Sequence, residues 1–520
     1  MQFIKRASEM ICRIRQVDQF MDKPILIDEC KQYVEDSMQK REENFLYTVK
    51  ELIYGYKNNP YRMLLDNAHI AFSDVQAITK QEGIEGALQI LKDEGVYITF
   101  EEFKGRKITK RNGKEFCFTQ RDFRNEFKGI LGKVYSGTSQ GSGTVINWGY
   151  EYLINKTRHE MIMFDMHGCL NYPFAIWYPI FPSHLILYAM RLRKMRVPLS
   201  IWYTPVTFPS PKRVQDFFDL YMYRIKVLHK ISLKYVPLDS PYPIAEWAAC
   251  MIKQYGKCSI SAFCSGAVRI CLAAKEKGLS IRGTVFFVAG EPLTQQKREE
   301  IEGCGCKVVN AYYFSEGGFV GCSCISQGST ADEIHFFKDC FAIIQHKRNI
   351  PGYENTVGAF LVTSFYKDCP ILMLNLENGD YGTIKQVDCA HTYDDAKKQH
   401  IMNIRSFEKL TTEGVTFYIN DFIPIIEERF PRKFGGSSIG YQLVEDVDKR
   451  GLSRLILYIH PDIVGIDERE VKNTLYKNIS TNINRDIRLK MWEQIKVLRI
   501  RREVPLATVR GKIISFVRKD

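Results

Sequence analysis

The sequence predicts an α/β protein: a large N-terminal domain of several subdomains with β-sheets, followed by a small α+β domain. Between residues 84 and 404, strand-like apolar runs such as GTVFFVAG and AFLVTSF alternate with helical stretches such as AVRICLAAKEKG. Such alternation is typical of a sheet covered by helices. The same mixture recurs on a smaller scale over residues 405–520, where the strand-like SRLILYIHP precedes the helical EREVKNTLYKNIS.

A helical appendage is predicted over residues 1–83. The segment CKQYVEDSMQKREENFLYTVKELIYGY has apolar residues three and four positions apart, a spacing that favours amphipathic helices. The chain is therefore expected to divide into this appendage, a large domain over residues 84–404 and a small C-terminal domain over residues 405–520.

The bulk composition indicates a globular chain that prefers anionic small molecules. Its 520 residues are 45% hydrophobic, and the net charge of +13 is spread along the chain in basic runs as short as RLRKMR. So modest an excess favours an anionic small molecule or an acidic partner protein over nucleic acid.

Cysteine usage and the N-terminal residues predict a cytoplasmic protein. The 15 cysteines are odd in number, and their spacing matches no disulfide framework. No apolar signal-peptide stretch follows MQFIKRASEM. The run FAIWYPIFPSHLILYAM is too short and too interrupted for a membrane span. We therefore expect reduced thiols, some of them on a metal.

The stretch YSGTSQGSGT, Tyr135 to Thr144, is a candidate phosphate loop. Eight of its ten residues are glycine, serine or threonine. A loop with so few Cβ atoms can adopt positive φ values and direct its backbone N–H groups at an anion. Glycine- and serine-rich runs are also typical of flexible linkers, and this loop alone does not separate the two interpretations.

A second informative stretch runs from Phe286 to Gly318. An apolar strand ends at Gly290 and Glu291, a charged helix follows, and a second strand places Ser315 and Glu316 at its carboxyl end. Ligands of α/β sheets bind outside the carboxyl ends of strands, so the two strand ends predict a nucleotide crevice. The alternative is an ordinary turn and a capped strand end.

Two further residues are candidates for nucleotide contacts. Asp380 follows an apolar run in LNLENGDYG, where its carboxylate could accept hydrogen bonds from ribose hydroxyls. Asn-Gly-Asp is also a common turn sequence. Lys512 in VPLATVRGKIISFV could hold a phosphate or carboxylate, or be a solvated surface charge.

In this order, the segments resemble the adenylate-forming enzymes, a superfamily of acyl-CoA synthetases, nonribosomal adenylation domains and luciferases. The nearest likeness is the phenylacetate-CoA ligase branch. The matching segments extend from about Phe118 to the last residue and read SGTSQGSGT, AGEPLTQQKREEIE, VNAYYFSEGG, NGDYG, IRSFEKLTTEG and PLATVRGK. Six ordered motifs favour the phosphate loop over the linker.

The resemblance implies an adenylate-forming enzyme fold and an ATP-dependent ligase. Such a ligase activates a carboxylic acid, here with an aryl acid favoured, as an acyl-adenylate and releases pyrophosphate. It then transfers the acyl group to a thiol, either coenzyme A or the phosphopantetheine of an acyl or aryl carrier protein. A second copy of the chain, as a homodimer, is another candidate partner. The alternatives are a stand-alone adenylating enzyme with an amine or cofactor acceptor, and a catalytically silent nucleotide-binding module.

The resemblance also implies residue roles around ATP. The residues it places at the nucleotide are Ser136, Gly137, Thr138, Ser139, Gly141, Gly290, Glu291, Tyr312, Ser315 and Asp380. The first five hold the β- and γ-phosphates, Gly290 and Glu291 flank adenine, and Asp380 binds the ribose.

Four more residues are implied in catalysis and lid motion. Lys512 bridges the acyl carboxylate and the α-phosphate, where it stabilises charge as the charge develops. Glu316 holds Mg²⁺, which offsets the charge of the departing pyrophosphate. Arg405 contacts the ribose or a phosphate, and Glu408 is the hinge about which the small domain turns.

The chain departs from the family pattern at several of these motifs. Gln140 is inserted in the phosphate loop and the lysine that usually follows is absent, Tyr313 and Ile404 stand at glycine positions, and Glu408 replaces aspartate. MLNLEN stands where the family has Arg-Tyr-Arg-Thr. The acidic and basic residues with the most direct roles are retained, so we expect a competent enzyme.

A zinc site is implied by the same branch, whose members carry a Cys, then a His, then Cys-x-Cys-Gly at these places. The matching ligands are Cys324, His335, Cys389 and His391, with His391 in place of the final cysteine. Four such ligands suit a closed, structural Zn²⁺ site. The alternatives are inert buried thiols and a Cys₄ set formed by Cys304, Cys306, Cys322 and Cys324.

The acid pocket is expected to include MHGCLNYPFAIWYPIF and FCSGA. Their aromatic density suits a planar aryl acid through stacking and apolar burial. His167 is a candidate contact for a polar substituent, although a hydrogen-bonded structural histidine is the more common role.

Overall fold

A computed structural model describes most of the chain. The described residues are 19–125, 130–135, 145–180, 184–206, 231–325, 328, 330–349, 356–387, 399–406, 409–412, 415–436, 438–479, 483–506, 513 and 515–518. Among them, no helix combines the length and the apolar character needed to cross a bilayer.

Helices form the N-terminal part of the chain. They are α1 Ile27–Gln39, α2 Arg41–Tyr47, a π-helical segment Thr48–Tyr54, α3 Pro60–Asn67 and α4 Phe72–Asp93. Helix α4 is kinked at Gly83, whose φ of 72° and ψ of 178° are not helical. Glycine tolerates this conformation because it has no Cβ. The kink coincides with the predicted boundary at residue 83.

The N-terminal helices share a hydrophobic core with the large domain. Phe45, Tyr61 and Val75 lie in one buried cluster with Phe341 and Phe360. Burying apolar side chains such as Val75 and Phe45 contributes roughly 1.5–3 kcal/mol each. These helices therefore stabilise the sheet that they cover.

Two short hairpins and a one-turn helix precede the main sheet. They are α5 Phe100–Phe103, strands β1 Thr109–Arg111 and β2 Lys114–Phe116, and strands β3 Ile130–Tyr135 and β4 Val145–Gly149. Tyr135 and Val145 are register partners in the antiparallel β3–β4 pair. The predicted phosphate loop thus connects two adjacent antiparallel strands.

The first half of the main sheet is parallel. Its strands are β5 Phe174–Trp177, β6 Leu199–Thr204, β7 Ser232–Tyr235, β8 Cys258–Ala262, β9 Thr284–Val288 and β10 Lys307–Phe314. Helix α6 Tyr150–Met166 precedes them, and the described helices between them are α7 His184–Lys194, α8 Tyr242–Tyr255, α9 Cys264–Glu276 and α10 Gln295–Glu302. All five residues of β9 are buried, as expected for a parallel strand covered on both faces.

The second half of the same sheet is antiparallel. Its strands are β11 Gly318–Cys322, β12 Ile334–Phe336, β13 Phe341–Asn349, β14 Thr356–Ser364, β15 Leu376–Gln386 and β16 Gln399–Ser406. Within the described residues the strand order is β13-β14-β15-β16-β12-β11-β10-β9-β8-β5-β6-β7. Strand β10 pairs with β9 in parallel and with β11 antiparallel, so it joins the two halves.

A small α+β domain follows. Its elements are β17 Lys409–Thr412, β18 Val415–Tyr418, α11 Ile419–Pro424, a π-helical segment Ile425–Arg429, α12 Phe430–Phe434, a 3₁₀ turn Ser438–Gly440, β19 Tyr441–Val447, β20 Ser453–Ile459, α13 Glu468–Ile479, α14 Ile483–Gln494, β21 Leu498–Arg501 and β22 Phe516–Arg518. Four of its strands form a sheet in the order β21-β20-β19-β22. The predicted fold class, a large α/β domain with a small α+β domain, is confirmed.

The small domain packs against the parallel half of the main sheet. Trp492 of α14 shares a buried cluster with Ile244 of α8 and Ala267 of α9. The Gln494 side chain accepts a hydrogen bond of 3.2 Å from the Leu238 backbone N–H and donates one of 2.9 Å to the Pro205 carbonyl.

Candidate active site

The carboxyl end of β10 organises the candidate active site. Strands β9 and β10 are parallel neighbours, so Gly290 and Ser315 both follow strand ends at the same edge of the sheet. Ser315 is exposed and Glu316 is buried in the turn that leads into β11. The sheet changes from parallel to antiparallel at this strand, which leaves its end accessible between two differently directed groups of strands.

Tyr312 and Asp380 form a direct hydrogen bond across this edge. The Tyr312 hydroxyl donates to Asp380 Oδ2 at 2.6 Å and accepts from Asn378 Nδ2 at 2.7 Å. The Asp380 backbone N–H donates to Asn378 Oδ1 at 3.1 Å. Burial raises the pKa of Tyr312 well above its usual range, and the charge of Asp380 raises it further. Tyr312 is therefore a fixed neutral donor that orients the carboxylate.

Glu316 forms a buried ion pair with Lys104. Lys104 Nζ lies 3.0 Å from Glu316 Oε1, and the two side chains are only 4% and 10% exposed. The ammonium also lies 4.8 Å from the centre of the Phe103 ring. The carboxylate that the resemblance assigns to Mg²⁺ is thus held by Lys104, the residue that follows α5, and a metal at this position would share or replace that partner.

Arg405 reaches the site through strand pairing. Arg405 and Ser406 of β16 are register partners of Tyr381 and Asp380 in β15. Arg405 Nη1 donates to Asp332 Oδ2 at 2.9 Å, while its side chain remains 37% exposed. Asp332 thereby positions a guanidinium beside the strand that carries Asp380.

Glu291 lies inside a separate polar network. Its carboxylate accepts from the backbone N–H and the hydroxyl of Ser265, at 3.1 and 2.7 Å, and from Lys297 Nζ at 3.2 Å. Gly290 beside it has a φ of 81°, which favours glycine. The carboxylate of Glu291 therefore links β9 to the first turn of α9, and contact with adenine would come from the backbone of this turn.

Several predicted site residues lie outside the described residues. They are Ser136, Gly137, Thr138, Ser139 and Gly141 of the loop, Glu408, Lys512, Cys389 and His391. Their predicted roles remain predictions.

Part of the predicted metal site forms a cluster where the end of β11 meets β12 and β16. The ligand atoms of Cys324, His335 and His400 all lie within 4.8 Å of one another, and Cys324 Sγ is 3.5 Å from His400 Nε2. His400 Nδ1 is 2.6 Å from Glu333 Oε1. A carboxylate on the second ring nitrogen is the usual way in which proteins orient a metal-binding histidine. Thiolate and imidazole donors suit Zn²⁺, so these residues fit the implied metal.

The alternative Cys₄ set is not formed, although all four of its residues are described. Cys304 donates to the carbonyl of Cys271 at 3.7 Å and Cys306 to that of Ile281 at 3.4 Å. Neither belongs to the described cluster that contains Cys324. Cys306 precedes β10 and is tied to the loop before β9, which separates it from the cluster.

Four side chains that contact the candidate site residues escaped the sequence analysis: Lys104, Asn378, Asp332 and His400. Asn378 carried a signal, because an asparagine two residues before Asp380 is typical of a turn that caps its own backbone. The others reach the site only through tertiary pairing. His167, by contrast, lies 3.2 Å from the Ser323 carbonyl, as expected of a structural histidine.

Comparisons with known proteins support the fold. No family model and no curated protein matches the sequence. Among solved structures, 2-hydroxyisobutyryl-CoA ligase, in complex with 2-HIB-AMP and CoA in the thioesterification state, matches with a TM-score of 0.55 and 13% identity over 96% of this chain and 91% of that one. A variant of the amide bond synthetase from Marinactinospora thermotolerans matches with a TM-score of 0.42 and 10% identity, over 88% of this chain and 92% of that one. The chain therefore has the fold of an adenylate-forming ligase.

Proposed function

We propose that the protein is an ATP-dependent ligase that activates a carboxylic acid as an acyl-adenylate and transfers the acyl group to a thiol. An aryl acid is the proposed substrate, and coenzyme A or the phosphopantetheine of a carrier protein is the proposed acceptor. The observation that carries this proposal is the grouping of Tyr312, Glu316, Asp380 and Arg405 around one sheet edge. The ligase with the similar fold binds 2-HIB-AMP and CoA in its thioesterification state, an adenylate and an acceptor of the kind proposed here.

Each residue of this group has a part in the proposed chemistry. Asp380, held by Tyr312, would accept hydrogen bonds from the ribose hydroxyls. Arg405 would neutralise phosphate charge from its position beside β15. Glu316 would hold Mg²⁺, which supplies charge neutralisation for the leaving pyrophosphate. Catalysis then depends mainly on positioning and electrostatics, as in other phosphate-transfer sites.

The aryl preference is supported by aromatic side chains near the same edge. Tyr178 and Phe263 form an edge-to-face pair with ring centres 4.6 Å apart, and both come from the segments in which the acid pocket was predicted. Such rings favour planar, apolar groups.

Carboxylate-dependent exchange of labelled pyrophosphate into ATP tests the proposal. We expect exchange with one class of acid, abolished by Asp380→Ala and by Lys512→Ala. Asp462→Ala is the matched control for the first change, because the Asp462 side chain is 89% exposed and lies in the small domain. Absence of exchange with every acid in an aromatic and aliphatic panel, in protein that binds ATP, would overturn the proposal and favour a silent nucleotide-binding module.

The acyl acceptor is identified with the acid that supports pyrophosphate exchange. Consumption of coenzyme A, or acylation of a phosphopantetheinylated carrier protein, supports thiol transfer. Release of free acyl-adenylate with both thiols present, and amide formation with an added amine, would instead support the stand-alone adenylating enzyme.

We also propose that Cys324, His335 and His400 bind a structural Zn²⁺ ion. The short distances between their ligand atoms and the Glu333 carboxylate behind His400 support this assignment. Cys389 and His391, from the segment that precedes β16, are the proposed candidates for the fourth ligand.

A further inference from the structure

One face of α6 carries an unusual row of polar side chains beneath the candidate active site. Tyr152, Lys156 and Glu160 are spaced four residues apart, which places them on one side of the helix. The Glu160 carboxylate accepts a hydrogen bond from the Tyr313 hydroxyl, the Lys156 ammonium lies over the Tyr313 ring, and the Tyr152 hydroxyl lies beside Gly318 in the adjoining turn. All three side chains therefore point toward the end of β10. This face is therefore a second polar group at the same sheet edge as Tyr312 and Asp380.

Within this group, Glu160 and Arg191 already satisfy each other. The Glu160 side chain is fully buried and accepts from Arg191 Nε at 2.6 Å and from Nη2 at 2.8 Å. The Tyr313 hydroxyl donates to Glu160 Oε1 at 3.1 Å. Bidentate pairing of this kind leaves no net charge on the pair.

Lys156 is the remaining ionisable group of this face, and it forms no ion pair with a carboxylate of the described residues. Its ammonium lies 4.9 Å from the centre of the Tyr313 ring and 6.0 Å from that of Tyr152. Across the part of the chain that the structure describes, no ion pair or hydrogen bond of the Lys156 ammonium is present. Burial, and then the charge of Arg191, lower the pKa of Lys156 to about 7. A partly buried ammonium without an anion is costly, which indicates a position that a bound anion would complete.

The row is continuous with the turn that carries Glu316. Gly318 has a φ of 83°, and a Cβ at that position would lie 2.5 Å from the Tyr152 hydroxyl. Glu316 also contributes to the raised pKa of Tyr152, after burial and nearer charges. Tyr152 thus approaches both the turn that follows Glu316 and the Lys156 ammonium, which lies 6.0 Å from its ring centre.

We propose that Lys156 is a specificity-determining residue that binds a second anionic group on the carboxylic acid substrate. The inference rests on the proposed function. The reacting carboxylate would lie near Glu316 and the nucleotide, the tail would pass between the rings of Tyr152 and Tyr313, and its anionic end would meet the ammonium. The substrate class is then an acid with a second carboxylate or an equivalent anionic substituent.

A phosphate of the nucleotide is an alternative ligand of the same ammonium. The experiment distinguishes it from an anionic group on the acid. Pyrophosphate exchange is measured with pairs of acids of equal length, aromatic and aliphatic, in which one member ends in a second carboxylate and the other in a methyl group. The variants are Lys156→Met, which keeps the length without the charge, and Lys156→Arg, which restores the charge. Lys253→Met, at an exposed position of α8, is the matched control.

We expect the wild type to prefer the diacid, and Lys156→Met to raise the KM of the diacid by roughly 10- to 100-fold, the range for loss of a hydrogen bond to a charged group. The KM values of the matched monoacid and of ATP should change less than threefold, and Lys156→Arg should recover most of the preference. An equal loss for both members of the pair, or a rise confined to the KM of ATP, would overturn the inference.

Failure of the proposed function is distinguishable from failure of this inference. If monoacids alone support exchange and Lys156→Met leaves it unchanged, adenylation stands and the inference is wrong. If no acid supports exchange, calorimetric titration of the same acid pairs still decides. Binding of the diacid that is lost in Lys156→Met and kept in Lys253→Met supports the inference, and binding unaffected by Lys156→Met, or no binding, overturns it.

Discussion

The Tyr312 hydroxyl donates a 2.6 Å hydrogen bond to Asp380, and an amide from Asn378 holds the same hydroxyl at 2.7 Å. The three groups come from β10 and β15, which lie on opposite sides of β11, β12 and β16 in the sheet order. The bond therefore fixes a carboxylate by reaching across a concave sheet edge. A carboxylate preset in this way needs little reordering when it binds a ribose.

Tyr312→Phe should weaken ATP binding by roughly 10- to 100-fold, the range expected for the loss of one hydrogen bond to a charged group. The carboxylate of Asp380 would remain but would lose its orienting donor. Calorimetric titration with ATP measures the change directly, and the folded state is checked by thermal unfolding.

Tyr54→Phe is the matched control for this change. The Tyr54 hydroxyl donates to the Ile70 carbonyl at 2.7 Å among the N-terminal helices. The substitution removes an equally short bond far from the site, so ATP binding should be unchanged. Equal ATP affinities for wild type and Tyr312→Phe would show that the tyrosine has only a packing role.

Lys104→Met should destabilise the protein through Glu316. Removing one partner of a buried ion pair leaves an uncompensated charge, which costs about 3–5 kcal/mol. Adding Glu316→Gln to this variant removes the stranded charge. We therefore expect the double variant to melt at a higher temperature than Lys104→Met alone, in the absence of nucleotide.

The exposed pair of Lys110 and Glu115 provides the comparison. These side chains are 69% and 57% exposed and 2.6 Å apart, so Lys110→Met should hardly change the melting temperature. A double variant no more stable than Lys104→Met would mean that the lysine stabilises the fold by packing on Phe103, with no coupling to the carboxylate.

Local sequence patterns predicted the fold class because strands that are buried on both faces consist of nearly continuous apolar residues. Thr284–Val288 is such a run, and its parallel neighbours follow the same rule. The packing of the N-terminal helices on the antiparallel half was beyond this kind of pattern. Arg41, for example, donates to the Lys338 carbonyl at 2.7 Å across 297 residues of sequence, and no local periodicity records such a contact.

The site was predictable to the extent that its residues lie in motifs. Glu316 and Asp380 follow strand ends and are recognisable there, whereas Lys104 precedes Glu316 by 212 residues in a segment with no distinctive pattern. His400 shows the same limit. The resemblance to the phenylacetate-CoA ligase branch indicated Cys389 and His391, but His400 meets His335 through the register of β16 and β12.

His159 and Asp339 should make stability depend on pH. Burial lowers the pKa of His159, but the Asp339 carboxylate 3.0 Å away outweighs burial and raises it above the usual value. Burial raises the pKa of Asp339, and His159 outweighs that effect and lowers it. A raised histidine pKa contributes stability below its unfolded value, near pH 6.5, and loses it as the pH rises through the folded pKa. A lowered aspartate pKa contributes stability above about pH 4 and loses it in more acidic solution.

The melting temperature of the wild type should therefore fall between pH 6 and pH 9 by more than that of His159→Gln, with a difference of roughly 1–3 °C. His460→Gln is the control, because His460 is one-third exposed beside the exposed Asp462. It should keep the pH dependence of the wild type. Parallel curves for wild type and His159→Gln over this interval would contradict the predicted charge on the buried imidazole.

Zinc content should depend on His400 as strongly as on Cys324. Because the Cys324, His335 and His400 ligand atoms lie within 4.8 Å of one another, Cys324→Ser, His335→Ala and His400→Ala should each lose bound zinc, measured by plasma mass spectrometry after dialysis against a weak chelator. Glu333→Gln should retain the metal but lower its affinity by roughly 10- to 100-fold, as loss of a carboxylate behind a ligating histidine does. Cys322→Ala, only two residues from Cys324, should keep full occupancy. Zinc retained by His400→Ala but lost with His391→Ala would instead place the imidazole ligand in the segment before β16.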